Sequence, residues 1–135
     1  MSAPTRSATP DSVTHHRVFA ALVGVVAVIV LFQGVWAGIF IREAKENNST
    51  WVQVHARGAD LAILLAIIAV VWAVLRLRAR KDLLFGSIAL AVILVVEAYI
   101  GGIIGDSPGA QAVHFPLAMA LMGLCVWLPF RASQR

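Results

Sequence analysis

Charge is what this sequence has least of. Only 13% of its 135 residues are Asp, Glu, Lys or Arg, where a soluble domain averages about 25%. A polar shell made from so few charges is too thin to hold a chain that is 60% hydrophobic in water. That excludes an ordinary soluble enzyme, an intrinsically disordered chain and a nucleic-acid-binding domain, so no nucleic-acid partner is expected. Cysteine is equally scarce. Cys125 stands alone, so no internal disulfide can form, and no C-x-x-C-H is present for covalent haem attachment. Acidic residues number 7 against 11 Lys and Arg, a net charge of +4. The length suits one domain.

What fills the chain instead is apolar, in runs at 18–41, 61–75, 83–104 and 113–130. A membrane-crossing helix takes about 20 mainly apolar residues. The second run reaches that length by starting near Trp51, and the fourth by starting near Ala110, with Pro129 expected to stop it. None alternates with a period of two, so strands are excluded. The first run is too long for a signal-peptide core and is read as a retained helix. The expected fold is all-α, an integral membrane up-down-up-down four-helix bundle with helices at about 18–41, 51–77, 83–104 and 110–130. The bundle domain covers 15–131, and residues 1–14, rich in Ser, Thr, Pro and Ala, are expected to be a disordered cytoplasmic tail.

The positive charges sit between the runs. Arg6 and Arg17 precede the first, Arg76, Arg78, Arg80 and Lys81 join the second to the third, and Arg131 and Arg135 follow the last. The first connection balances Arg42 and Lys45 against Glu43 and Glu46, and the third has only Asp106. The positive-inside rule then predicts a multi-pass protein of the cytoplasmic membrane with both termini in the cytoplasm. Loops 42–50 and 106–109 face outward. The basic second connection is a topology signal first and a candidate contact for anionic lipid second.

The two halves resemble each other. Gln33-Gly34-Val35-Trp36-Ala37-Gly38 and Glu97-Ala98-Tyr99-Ile100-Gly101-Gly102 each place a polar residue five positions before a glycine, with an aromatic between. Past the outer loops, Trp51-Val52-Gln53-Val54-His55 and Ala110-Gln111-Ala112-Val113-His114 both end in Val-His. The similarity is a weak two-helix internal repeat.

Two neutral imidazoles at equal depth on the second and fourth helices suit the axial positions of a flat metal macrocycle. Gly58, Ala59, Ala62, Ala66, Ala69 and Ala73 lie within about 60° of His55 on the helix surface. Gly86 and Gly101 share the Glu97 face, and Ala118 and Cys125 share the His114 face. Such small residues leave space for a cofactor or let helices approach closely, as Gly34-x-x-x-Gly38 and Gly101-x-x-x-Gly105 also do. A histidine near the membrane surface also serves as a plain amphipathic anchor.

Glu97 is the costliest residue to insert, at about 2.5–3.5 kcal/mol if it behaves like Asp. It is expected to face the interior, protonated or hydrogen-bonded to Gln33 at similar depth. Its role is either proton transfer or cofactor contact, or a clasp between the first and third helices. Arg57 is spaced to pair with Asp60. Together with Arg42 and Lys45 it is also a candidate contact for haem propionates, the alternative being interfacial anchoring beside Trp51. His15 and His16, in the tail, carry no expected role.

With those residues in view, the chain resembles one four-helix half of a haem A synthase. The stretch Glu97-Ala98-Tyr99-Ile100-Gly101-Gly102-Ile103-Ile104-Gly105-Asp106, then Ala112-Val113-His114-Phe115-Pro116-Leu117-Ala118, looks like the end of that family's third helix and the His-Leu-x-x-Ala start of its fourth. Val54-His55-Ala56 is similar to its first histidine motif. The likeness covers about 18–130 and extends to small uncharacterised four-helix membrane proteins of actinobacteria. It implies haem b held by His55 and His114 as axial ligands. It does not imply the synthase activity: Val52 stands where the family has a glutamate, the outer loop lacks a cysteine pair, and half the helices are missing. The leading expectation is a bis-histidine b-type haem protein in electron transfer or haem handling, with His55, His114, Arg57, Glu97 and Gln33 around the cofactor. It would act in the lipid bilayer alone, as a homodimer or in a larger membrane complex. The alternatives are a haem-free accessory or assembly subunit and an oligomeric proton-coupled small transporter built on Glu97.

Overall fold

Backbone amides in hydrocarbon must be hydrogen-bonded within the chain, so long apolar runs become helices. The computed structural model describes residues 10–42, 50–107 and 109–134. They form α1 (Pro10–Arg42), α2 (Thr50–Arg76), α3 (Lys81–Gly102) and α4 (Ala110–Ser133), with no strand among the described residues. Each helix is long and apolar enough to cross a membrane. The chain is a multi-pass membrane protein.

Several boundaries differ from expectation. α1 begins at Pro10, so the part of the expected tail at 10–14 is helical, and residues 1–9 lie outside the described residues. Proline suits a first helical position, where its missing N–H costs nothing. The next turn is docked on α2, where Trp72 Nε1 donates to the His15 carbonyl at 3.1 Å. α4 runs through Pro129 to Ser133. Its last turn is held from outside, because the Arg80 guanidinium donates to the carbonyls of Arg131 and Gln134, both at 2.9 Å. α3 ends at Gly102, two residues early, where Ile103 and Ile104 tighten into turns bonded to Ile100 and Gly101.

α1 packs on α2 and α4, and α3 packs on the same two, so α1 faces α3 and α2 faces α4 across the diagonals. The buried positions repeat along this ring. Phe19, Val23, Val26 and Val30 on α1 answer to Leu83, Ser87, Leu90 and Leu94 on α3 at a constant 64 residues, as from 19 to 83. Ala62, Ala66, Ala69 and Ala73 on α2 answer to Leu121, Cys125, Leu128 and Ala132 on α4 at a constant 59, as from 62 to 121. The two hairpins therefore pack as equivalents, and the two-helix repeat read in the sequence is carried into the core.

The outside is as apolar as the inside. Leu75 is 65% exposed and Met119 77%, as lipid-facing side chains should be. With no hydrophobic contrast between lipid and core, close packing drives helix association. The fully buried alanines of α2 provide it. Below the histidines, that small-residue stripe is fully buried in the helix contacts.

At the end bearing the start of α1, the α2–α3 turn and the end of α4 (the tail end), Asp82 joins three elements. Its carboxylate accepts from Arg80 at 2.9 and 3.0 Å and from Arg131 at 2.9 and 3.2 Å. These bonds hold the Arg80 guanidinium charged more firmly than usual. The opposite end, carrying the end of α1, the start of α2 and residues 103–107, is the loop end.

Candidate functional site

His55 lies five residues into α2 and His114 four residues into α4, about 6–8 Å from the loop-end termini of those helices. Each stands seven residues, about 10 Å, above the first core-cluster residue of its helix, Ala62 or Leu121. Gln33 and Glu97 lie three residues beyond the last buried apolar residue of theirs, Val30 or Leu94. The repeat thus sets four polar residues in one layer above a packed core.

In the first half, His55 Nδ1 is 3.2 Å from the Gln33 carbonyl oxygen. With its amide turned to satisfy both ends, Gln33 also donates to His55 Nδ1 and to the His55 carbonyl, each at 2.8 Å, and accepts from Ala59 N at 3.3 Å. Phe40 presents its edge to the imidazole, with ring centroids 5.4 Å apart. Gly58 leaves room for the Gln33 amide, the flexible end of which a Cβ at 58 would displace.

In the second half, His114 Nδ1 is 2.6 Å from Glu97 Oε2, with the two side chains 14% and 8% exposed. The pair is close without hydrogen-bond alignment. Glu97 Oε1 and His114 Nδ1 are both buried with no hydrogen-bond partner among the described residues. Gly101 supports the ring, since a Cβ there would sit 3.3 Å from His114 Cε1. The two imidazoles sit on diagonal helices.

The chemistry follows from the tautomers. An Nδ1–H facing a carbonyl or carboxylate leaves Nε2 with a free lone pair, the form that ligates metals. Glu97 favours that tautomer at His114. At His55 the Gln33 carbonyl favours it, while the Gln33 amide N–H favours the opposite one, so the first half can adopt either. Among the described residues no three His, Cys, Asp or Glu gather, so the layer does not supply the three or four protein ligands of a zinc site.

The expected Gln33–Glu97 clasp is not formed. Their helices are diagonal and do not touch, so each residue engages the histidine of the following helix instead. Arg57 does not reach the histidines: its side chain is 85% exposed and paired with Asp60 at 3.3 Å. The Arg42 side chain and Lys45 lie outside the described residues.

Two features went unread in the sequence. Phe32, Trp36 and Trp51 stack in a ladder beside the first half, with centroids 5.6 and 5.3 Å apart, and the tryptophans flanking the loop were the available signal. His15 and His16, expected to be idle, contact Trp72 and Arg80. Two concavities lie away from the histidines, on the outer face of α3 at Ala91, Val92, Val95 and Val96, and between α1 and α4 at the tail end. The chain matches no protein-family model, no curated protein and no solved structure.

Proposed function

We propose that the protein binds one haem b between His55 and His114 at the loop end of the bundle. One observation carries the reading: the internal repeat sets two histidines at equivalent positions on diagonal helices, each with Nδ1 against a polar group of the preceding helix. This is the outer-shell arrangement that orients metal-ligating imidazoles. Bound, the haem supplies one-electron chemistry. The chain's own residues present two Nε2 atoms, and the packed layer from Ala62 and Leu121 downward confines the cofactor to the loop end. The tail-end cations Arg17, Arg76, Arg78, Arg80, Lys81 and Arg131 support a cytoplasmic-membrane protein with both termini in the cytoplasm. Electron transfer or haem handling follows as the role.

The test is the absorption spectrum of the detergent-purified protein, oxidised and then reduced with dithionite. A low-spin bis-histidine spectrum with stoichiometric haem supports the reading, and a protein that stays colourless with haem added contradicts it. A second reading, a haem-free accessory or assembly subunit, draws on the same pairs, which already clasp α1 to α2 and α3 to α4. In that case His114→Ala lowers thermal stability in a protein that never takes up pigment.

A further inference from the structure

The tail-end concavity, about 170 Å³, is lined by His16, Arg17, Ala20, Ala132 and Ser133. Its floor is apolar, since Ala132 is 1% exposed and Ala20 packs on the core. Its rim is basic. Arg17 makes no hydrogen bond or ion pair with any described residue. Arg80 Nη1 reaches His16 Nε2 at 3.4 Å. Two guanidiniums, of Arg80 and Arg131, share the single carboxylate of Asp82. Exposed Arg76, Arg78 and Lys81 add charge at the same end, leaving a local positive excess beside the cavity.

The concavity lies at the tail-end margin of the candidate spans, where headgroups are expected. Two tryptophans mark this end as a membrane interface, where indoles concentrate. Trp72 Nε1 donates to the His15 carbonyl, and Trp127 carries the Arg131 guanidinium at 5.9 Å from its ring centroid. A basic pocket between transmembrane helices, with an apolar floor at interfacial depth, suits a phosphate ester attached to an acyl chain better than a free anion.

We propose that this concavity binds the phosphodiester headgroup of an anionic phospholipid, with Arg17 as its principal charge contact. The site is independent of the histidine layer at the opposite end.

The test is native mass spectrometry of the full chain in detergent with equal amounts of phosphatidylglycerol and phosphatidylcholine of the same acyl chains. The wild type is expected to retain phosphatidylglycerol over phosphatidylcholine by about fivefold, the ratio one Lys or Arg near an anionic surface supplies. Arg17→Gln removes the preference. Ser133→Leu, which fills the cavity at an exposed position without changing charge, also removes it. Arg76→Gln, at the same end but outside the lining, keeps it. Equal retention of both lipids by the wild type overturns the proposal, as does a preference that survives both Arg17→Gln and Ser133→Leu. Displacement of phosphatidylglycerol by inorganic phosphate assigns the site to a free anion and overturns it too.

Discussion

Gln33 and Glu97 occupy the same position in the two halves of the bundle, and each engages the histidine of the helix that follows it. The neutral residue faces His55 and the acidic one faces His114. The two halves of the layer are alike in arrangement, and one carries an ionisable side chain where the other carries an amide.

That difference sets the first prediction. Glu97→Leu removes the acceptor beside His114 Nδ1 and is expected to weaken haem binding about 10–100-fold, the usual cost of losing an outer-shell partner. Glu97→Gln retains an acceptor oxygen and stays within a few-fold of wild type. Haem titration of the apo-protein in detergent reads both. Equal losses in the two variants would mean that charge, and not the hydrogen-bond acceptor, is what His114 requires.

Gly58→Ala separates site from fold. A Cβ at 58 displaces the end of the Gln33 side chain, which is flexible and supplies its three nearest neighbours. Helix propensity favours the alanine by about 1 kcal/mol. Thermal stability should hold or rise slightly while haem affinity falls to that of Gln33→Ala. Unchanged affinity would show that Gln33 does not orient His55.

Asp82→Asn tests the closure of the tail end. It weakens the partner of two guanidiniums, Arg80 and Arg131, on different elements. The expected loss is about 1–2 kcal/mol, seen as a lower melting temperature in detergent, with partial exposure of the pair already discounted. Arg80→Lys should be nearly as damaging, because an ammonium cannot span the Asp82 carboxylate and the carbonyls of Arg131 and Gln134 together.

The inside-out core gives a paired prediction on α2. Ala66 is fully buried and Leu64 is 54% exposed. Ala66→Leu overfills the helix contact and should cost about 1–3 kcal/mol. Leu64→Ala makes the reverse change in size on the lipid side, and should change stability by about 0.5 kcal/mol or less.

The four helices were legible because spanning a bilayer demands length and apolarity, and both are written locally in the runs. The repeat was visible from Gln33 against Glu97 and His55 against His114, and the same spacing governs the buried residues. Partner choice was less legible. Gln33 and Glu97 were matched by depth, but whether their helices are neighbours or diagonal depends on ring order, which hydropathy does not encode. Helix ends were misjudged where distant groups decide them, as Trp72 does for the start of α1 and Arg80 for the end of α4. Arg57 shows the limit of charge as a signal: its spacing to Asp60 foretold the ion pair it makes, and nothing local said that it faces away from the histidines.

The central claim is that one chain holds one haem between its two halves. The most direct measurement is haem content per chain in the wild type, His55→Ala, His114→Ala and a sample co-expressing the two variants. One haem per wild-type chain is expected, with the low-spin haem lost in each variant and not regained in the mixture. Pigment restored by mixing the two variants, or retained in both singly, would contradict a site built from both histidines of a single chain.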